Sequence, residues 1–186
     1  MRLHAGWALV RLPVEACDRQ ARRLSDLRGP RRKLFRRCEG TRLMRRIFLV
    51  RHGVVNYDTL ALSAVGQQYA RGLPSLLPEP VHFIASDEEA RCVETITPLA
   101  RARNLTPRTY DKQSFTRAQP LADAPAEGVS VLCYRIESIV GILQQLGIPM
   151  FAHRDDSYEV ILECVQDGGH VTHRSIPTGQ SRPARG

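Results

Sequence analysis

The 186 residues are enough for one domain with a sizeable core, and 42% apolar with 25% charged residues is ordinary for a globular chain. No apolar run approaches the roughly 20 residues of a membrane span, and five scattered cysteines (Cys17, Cys38, Cys92, Cys133, Cys164) without a Cys-x-x-Cys argue against a disulfide framework or a zinc site and for reduced thiols in the cytosol. The net charge of +8 is not a nucleic-acid signal for the domain, because residues 1–43 carry 12 of the 27 Lys and Arg but 4 of the 19 Asp and Glu, which leaves 44–186 balanced.

In chain order, residues 1–43 stand apart. A weak helix fits Pro13 to Leu27, stopped by Gly29-Pro30 and followed by Arg31-Arg32-Lys33 and Arg36-Arg37. No long apolar stretch precedes Glu15 and Asp18, unlike a signal peptide. The segment reads either as a disordered or non-native extension, with Met44 standing directly before the first strand, or as a basic arm for nucleic acid, an acidic partner or organelle import. Ile47-Phe48-Leu49-Val50 is then a continuous apolar run, the pattern of a parallel strand buried on both faces. Arg51-His52-Gly53 follows it. Ligands of open α/β sheets gather beyond the carboxyl ends of strands, and there Arg51 brings a planar fork suited to phosphate, His52 a nucleophilic ring nitrogen, and Gly53 close backbone approach.

Ser63 is a good N-cap for a helix from about 64 to 75, with Gln67 near the capping-box position. Val81 to Ser86 reads as a second buried strand, and Asp87-Glu88-Glu89 opens a helix to about Asn104, with three acids suited to its N-terminal dipole. His82 is expected to cap or flank its strand. Pro107 to Tyr110 suits a short third strand, and 111–128, with Pro120 and Pro125, reads as loop. A strand at 129–133 precedes Ile136, Ile139, Val140, Leu143 and Leu146 at helical spacing. Residues 157–164 alternate, Asp167-Gly168-Gly169 makes a hairpin turn, and His170 to Ile176 returns. His170 and His173 fall on opposite sides of that strand and are poor metal partners. The domain is expected over 44–176 with a disordered tail at 177–186.

Taken together, Ile47 to Gly53, Leu62-Ser63-Ala64-Val65-Gly66, Ser86 with Arg91 and Thr95, and Leu146-Gly147-Ile148-Pro149 resemble, in order, the segments of the histidine phosphatase superfamily, the phosphoglycerate mutase-like family. The resemblance implies a three-layer α/β/α fold, with a mostly parallel central sheet, helices on both faces and a C-terminal hairpin at the edge. It implies phosphoryl transfer through a phosphohistidine at His52, with Arg51 and Arg91 clamping the phosphate and no metal or cofactor. Its partners would be a phosphorylated small molecule or phosphoprotein, in the cytoplasm and away from membranes and nucleic acid.

The chain also departs from the family. Val55 and Asp58 stand where Thr and Asn are usual. Cys133, Tyr134 and Arg135 replace Ser-His-Gly, leaving Tyr134 to donate one hydrogen bond to phosphate and Arg135 to supply charge from the next position. The catalytic acid has no motif, only Asp111, Asp123 and Glu127 as local carboxylates. The expectation is a weak enzyme or, alternatively, a non-catalytic relative that binds a phosphorylated ligand or a protein partner.

Overall fold

A computed structural model describes residues 44–77, 80–149, 158 and 160–180. The expectations for 1–43, for 157 and 159, and for 181–186 lie outside those residues.

The apolar run lies in strand β1 (Met44–Arg51), whose Ile47 to Val50 are wholly buried. The reason is position. β1 pairs in parallel with β4 (Gly128–Tyr134) on one side and antiparallel with β5 (Val160–Asp167) on the other. With β2 (Phe83–Asp87), β3 (Arg108–Tyr110) and β6 (His170–Pro177), the sheet order is β3-β2-β4-β1-β5-β6. The four strands β1 to β4 run parallel, and the antiparallel β5–β6 hairpin forms the edge. Its turn residues Gly168 and Gly169 both have positive φ, 54° and 89°, as a two-residue hairpin turn of that hand requires.

Alternation along β1 divides the core. Phe48 and Val50 pack with helices α1 (Ala64–Leu76) and α2 (Ala90–Ala102), through Tyr69, Leu73, Ile96 and Leu99. Ile47 and Leu49 pack on the opposite face with α3 (Lys112–Thr116), α4 (Gln119–Asp123) and α5 (Val140–Gln145), through Phe115, Leu121, Ile142 and Leu143. The three-layer α/β/α architecture is therefore as expected.

Residues 111–128 are not the expected loop. Asp111 caps α3 by accepting from Ser114 N–H at 2.7 Å, and Phe115 is wholly buried. Ala118 breaks the two helices apart at φ 58°, and Pro120 lies in the first turn of α4, where a missing N–H costs nothing. Arg45 of β1 then donates to the carbonyls of Leu121 and Ala124 at the end of α4. Helices of one turn are too short to show periodicity, and their prolines read as breakers.

The helix expected from residue 87 begins at Ala90, because Asp87 completes β2 and its Oδ1 accepts from Glu89 N–H at 3.2 Å. The helix expected across 136–146 shrinks to α5, since Ser138 folds 135–138 into a turn, its Oγ accepting from Arg135 N–H and donating to Arg135 C=O. The C-terminal boundary also moves. Thr178 and Gln180 belong to the folded domain, and Gln180 is buried.

One buried charge holds the hairpin edge. Glu163 of β5 accepts from Arg46 Nε at 2.9 Å and from Arg174 of β6. Burial alone would raise its pKa, but the two guanidinium partners outweigh burial and hold the carboxyl below its ordinary value. Among the described residues no helix is long and apolar enough to cross a membrane.

Candidate active site

His52 follows the last residue of β1 and is 5% exposed. Its N–H donates to Tyr134 C=O at 3.3 Å, so the loop leaves the sheet from the end of the β1–β4 ladder. The ring nitrogen Nδ1 lies 2.9 Å from Gly53 C=O. A carbonyl only accepts, so Nδ1 carries the proton and Nε2 keeps its lone pair. Burial lowers the His52 pKa from 6.5 to about 4; the Gly53 bond and Glu137 oppose this, and Arg91 and Arg51 add to it. At neutral pH the ring is thus uncharged, with Nε2 able to act as a nucleophile.

Backbone contact sets the loop. A Cβ on Gly53 would lie 2.8 Å from Gly66 C=O, and one on Gly66 would lie 2.2 Å from Val54 C=O. Glycine at both places lets the His52 loop rest directly on the first turn of α1. Ser63 caps that turn as expected, its Oγ accepting from Gly66 N–H at 3.2 Å and donating to Val54 C=O at 2.9 Å. Gln67 reaches Leu62 C=O instead of completing a capping box. Val55 is buried with Leu62 and Ala70, and Asp58 is exposed in the following turn.

Thr95 joins this loop to α2. Its wholly buried Oγ1 accepts from Gly53 N–H at 2.9 Å and donates to Arg91 C=O at 2.7 Å. Arg91 is thereby brought to the His52 loop, and its buried Nε makes no hydrogen bond among the described residues. Arg51 lies beside them. Its guanidinium carbon sits 3.7 Å from the Tyr158 ring centroid, and the same ring meets His52 edge-on at 5.6 Å and 78°. The structure thus brings together Arg51, His52 and Arg91.

The fold matches solved structures. A phosphoglycerate mutase from Plasmodium falciparum aligns at a TM-score of 0.53 and 20% identity, over 77% of this chain and 97% of its own. An alpha-ribazole phosphatase from Shigella flexneri aligns at 0.55 and 13%, over 71% and 96%. A phosphoserine phosphatase from Entamoeba histolytica aligns at 0.56 and 16%, over 73% and 98%. The chain has the phosphoglycerate mutase-like fold. No protein-family model and no curated protein matches the sequence.

Within the phosphoglycerate mutase-like fold, two expected phosphate ligands stand differently from the sequence reading. Tyr134 is wholly enclosed in the core beside Leu49, Phe115 and Leu132. Its phenol has no surface open to a ligand, and burial raises its pKa. Arg135 is held by acids: Nε pairs with Asp87 Oδ2 at 3.0 Å and a terminal nitrogen with Glu89 Oε1 at 2.7 Å. Its charge is largely neutralised there. Replacing Tyr134 by His is expected to cost about 2–4 kcal/mol, since it leaves a cavity and buries a polar ring among apolar side chains. A urea midpoint checks this; an unchanged midpoint with increased turnover would show that the position opens to solvent.

The acids suggested by sequence serve structure. Asp111 caps α3, Asp123 accepts from Tyr110 OH at 2.9 Å, and Glu127 is exposed. His82 accepts from Val129 N–H at 3.0 Å, as a strand flank. Glu137, whose charge acts on His52, was missed because it stands alone in a turn, as was Tyr158, an aromatic in an alternating stretch like any core residue. Gln180 was missed because it sits among Gly, Ser and Pro; its Oε1 accepts from Val54 N–H at 3.2 Å. Among the described residues no group of three His, Cys, Asp or Glu is placed to hold a metal. Cavities of about 480 and 300 Å³ flank α1, and neither is lined by His52, Arg51 or Arg91.

Proposed function

We propose that the chain is a divergent histidine phosphatase-family protein acting on phosphomonoesters through a phosphohistidine at His52. The observation that carries this reading is the His52 ring itself, buried, with Nδ1 against Gly53 C=O, Nε2 left with its lone pair, and the charges of Arg91 and Arg51 acting on it. Nε2 forms a bond to phosphorus as the ester P–O bond breaks, and the arginine charges offset the charge on the phosphoryl oxygens. Water then attacks phosphohistidine, releasing inorganic phosphate and restoring the ring. Asp111 and Asp123 are committed elsewhere, which leaves protonation of the leaving oxygen to Glu137, whose charge acts on His52, or to water, the latter favouring esters of weakly basic leaving groups.

The reading includes slow turnover. Tyr134 is enclosed and Arg135 is paired with carboxylates, and one missing electrostatic donor costs about 10²–10³ in rate. Those same two features favour a second reading, a non-catalytic protein that binds a phosphorylated ligand through Arg51 and Arg91. In either case the partner is a phosphorylated small molecule or phosphoprotein, met in the cytoplasm.

Mass spectrometry after rapid mixing with an aryl phosphate tests this. The expected result is one phosphoryl group per chain, stable to base, lost in acid and absent from His52→Ala. Absence of both the adduct and His52-dependent turnover, with inorganic phosphate still bound, would establish the second reading.

A further inference from the structure

Tyr158 and Gln180 belong to no motif, yet they form one connected piece against the site. The Tyr158 ring carries the Arg51 guanidinium on its face at 3.7 Å and presents to His52 edge-on at 5.6 Å. Tyr158 as a whole is 8% exposed. Its backbone carbonyl accepts from Thr178 Oγ1 at 2.7 Å and from Gln180 Nε2 at 3.1 Å. The other end of the buried Gln180 amide accepts from Val54 N–H, two residues past His52. Thr178 Oγ1 also accepts from Gln180 N–H at 3.1 Å, which sets the turn of the short strap formed by residues 178–180.

We propose that Tyr158 is a positioning residue of the phosphate site, fixing the plane of the Arg51 guanidinium and closing one edge of the His52 ring, and that Gln180 sets where Tyr158 stands. The proposal rests on the phosphoryl reading above. A guanidinium stacked on an aromatic face keeps its N–H groups in its own plane, directed outward as a fork, which is the geometry that grips two phosphate oxygens. The same ring keeps water from His52. The charged groups acting on His52 are Arg91, Arg51 and Glu137, so a change at Tyr158 reaches the ring through Arg51 and through hydration.

The test is an NMR titration of His52 in the full chain, assigned by comparison with His52→Ala, together with binding of inorganic phosphate and kcat/KM for an aryl phosphate. Tyr158→Phe retains the aromatic face, loses only the phenol's own interaction with Arg51, and is expected to weaken phosphate binding less than Tyr158→Leu does. Tyr158→Leu is expected to weaken phosphate binding about tenfold and to move the His52 midpoint upward from about 4 toward 6.5. Gln180→Ala moves both in the same direction by less. A residue with only a structural role would lower Tm in these variants and leave the His52 midpoint and phosphate affinity of the folded protein alone. An unchanged midpoint and phosphate affinity in folded Tyr158→Leu overturns the proposal, and in folded Gln180→Ala it overturns the role given to the strap. Should Tyr158→Leu fail to fold, Gln180→Ala decides it by the same readouts, an unchanged His52 midpoint and phosphate affinity overturning the proposal. A parent without His52-dependent turnover, but with the midpoint shift intact in Tyr158→Leu, removes the phosphoryl-transfer reading and leaves the positioning role standing.

Discussion

Arg91→Ala is expected to lower kcat/KM for an aryl phosphate about 10²–10³-fold while leaving the protein folded. The side chain can be removed cleanly because what ties the first turn of α2 to the His52 loop is the Arg91 carbonyl, held by Thr95, and not the guanidinium. The loss falls on charge alone. Arg91 lowers the His52 pKa, so its removal also lets the ring take a proton at higher pH. As pH falls, the variant therefore loses its neutral nucleophile before the parent does. Arg91→Lys keeps the charge without the fork and is expected to fall between. Parallel measurement of kcat/KM and of inhibition by inorganic phosphate checks the assignment. A change under about threefold in both would remove Arg91 from the site, since a lost donor at a phosphoryl oxygen costs far more.

Gly66→Ala is expected to destabilise the fold by about 3 kcal/mol and to cut kcat/KM about 10²-fold in whatever remains folded. The added methyl would stand 2.2 Å from Val54 C=O and 3.0 Å from Val54 N, both backbone atoms that no side-chain rotation can clear. Either α1 or the His52–Val54 loop must move. The loop is held by Thr95 from one side and Gln180 from the other, so a shift there carries His52 with it. Gly72 offers the control on the same helix. A Cβ there meets nothing within 4 Å, and Gly72→Ala should be neutral or stabilising by about 0.5–1 kcal/mol. Urea denaturation of the two variants, with kcat/KM at a temperature where both are folded, separates local strain from helix propensity. Equal midpoints for the two would mean that the close approach of Gly66 to Val54 relaxes without cost.

The contrast between what the sequence disclosed and what it hid follows from range. The buried strand Ile47 to Val50, the Ser63 cap and the Gly168-Gly169 turn all rest on neighbours within a few positions, and all were legible. That Arg51 and His52 stand at the carboxyl end of β1 was legible for the same reason, whereas Arg91 was singled out only by the family resemblance around Ser86 and Thr95. Residues 111–128 misled because α3 and α4 are stabilised from outside, by Phe115 entering the core and by Arg45 reaching across from β1. The fates of Tyr134 and Arg135 depended on partners about 20 to 90 positions away, Phe115 and Leu49 for one, Asp87 and Glu89 for the other. Gln180 contributes by bridging Val54 and Tyr158, contacts that composition does not encode.

The Asp87–Arg135–Glu89 group has a consequence for how the site can be altered. Changing Arg135 to Gly alone would strand the wholly buried Asp87 without its partner, a loss of about 3–5 kcal/mol. Changing Tyr134 to His alone opens a hole in the core. Restoring a His-Gly pair there is thus not a two-letter edit. It requires an order of events in which Asp87 and Glu89 are neutralised and the cavity under β4 refilled before the new residues arrive, and every shorter route passes through a chain that folds less well than either end point.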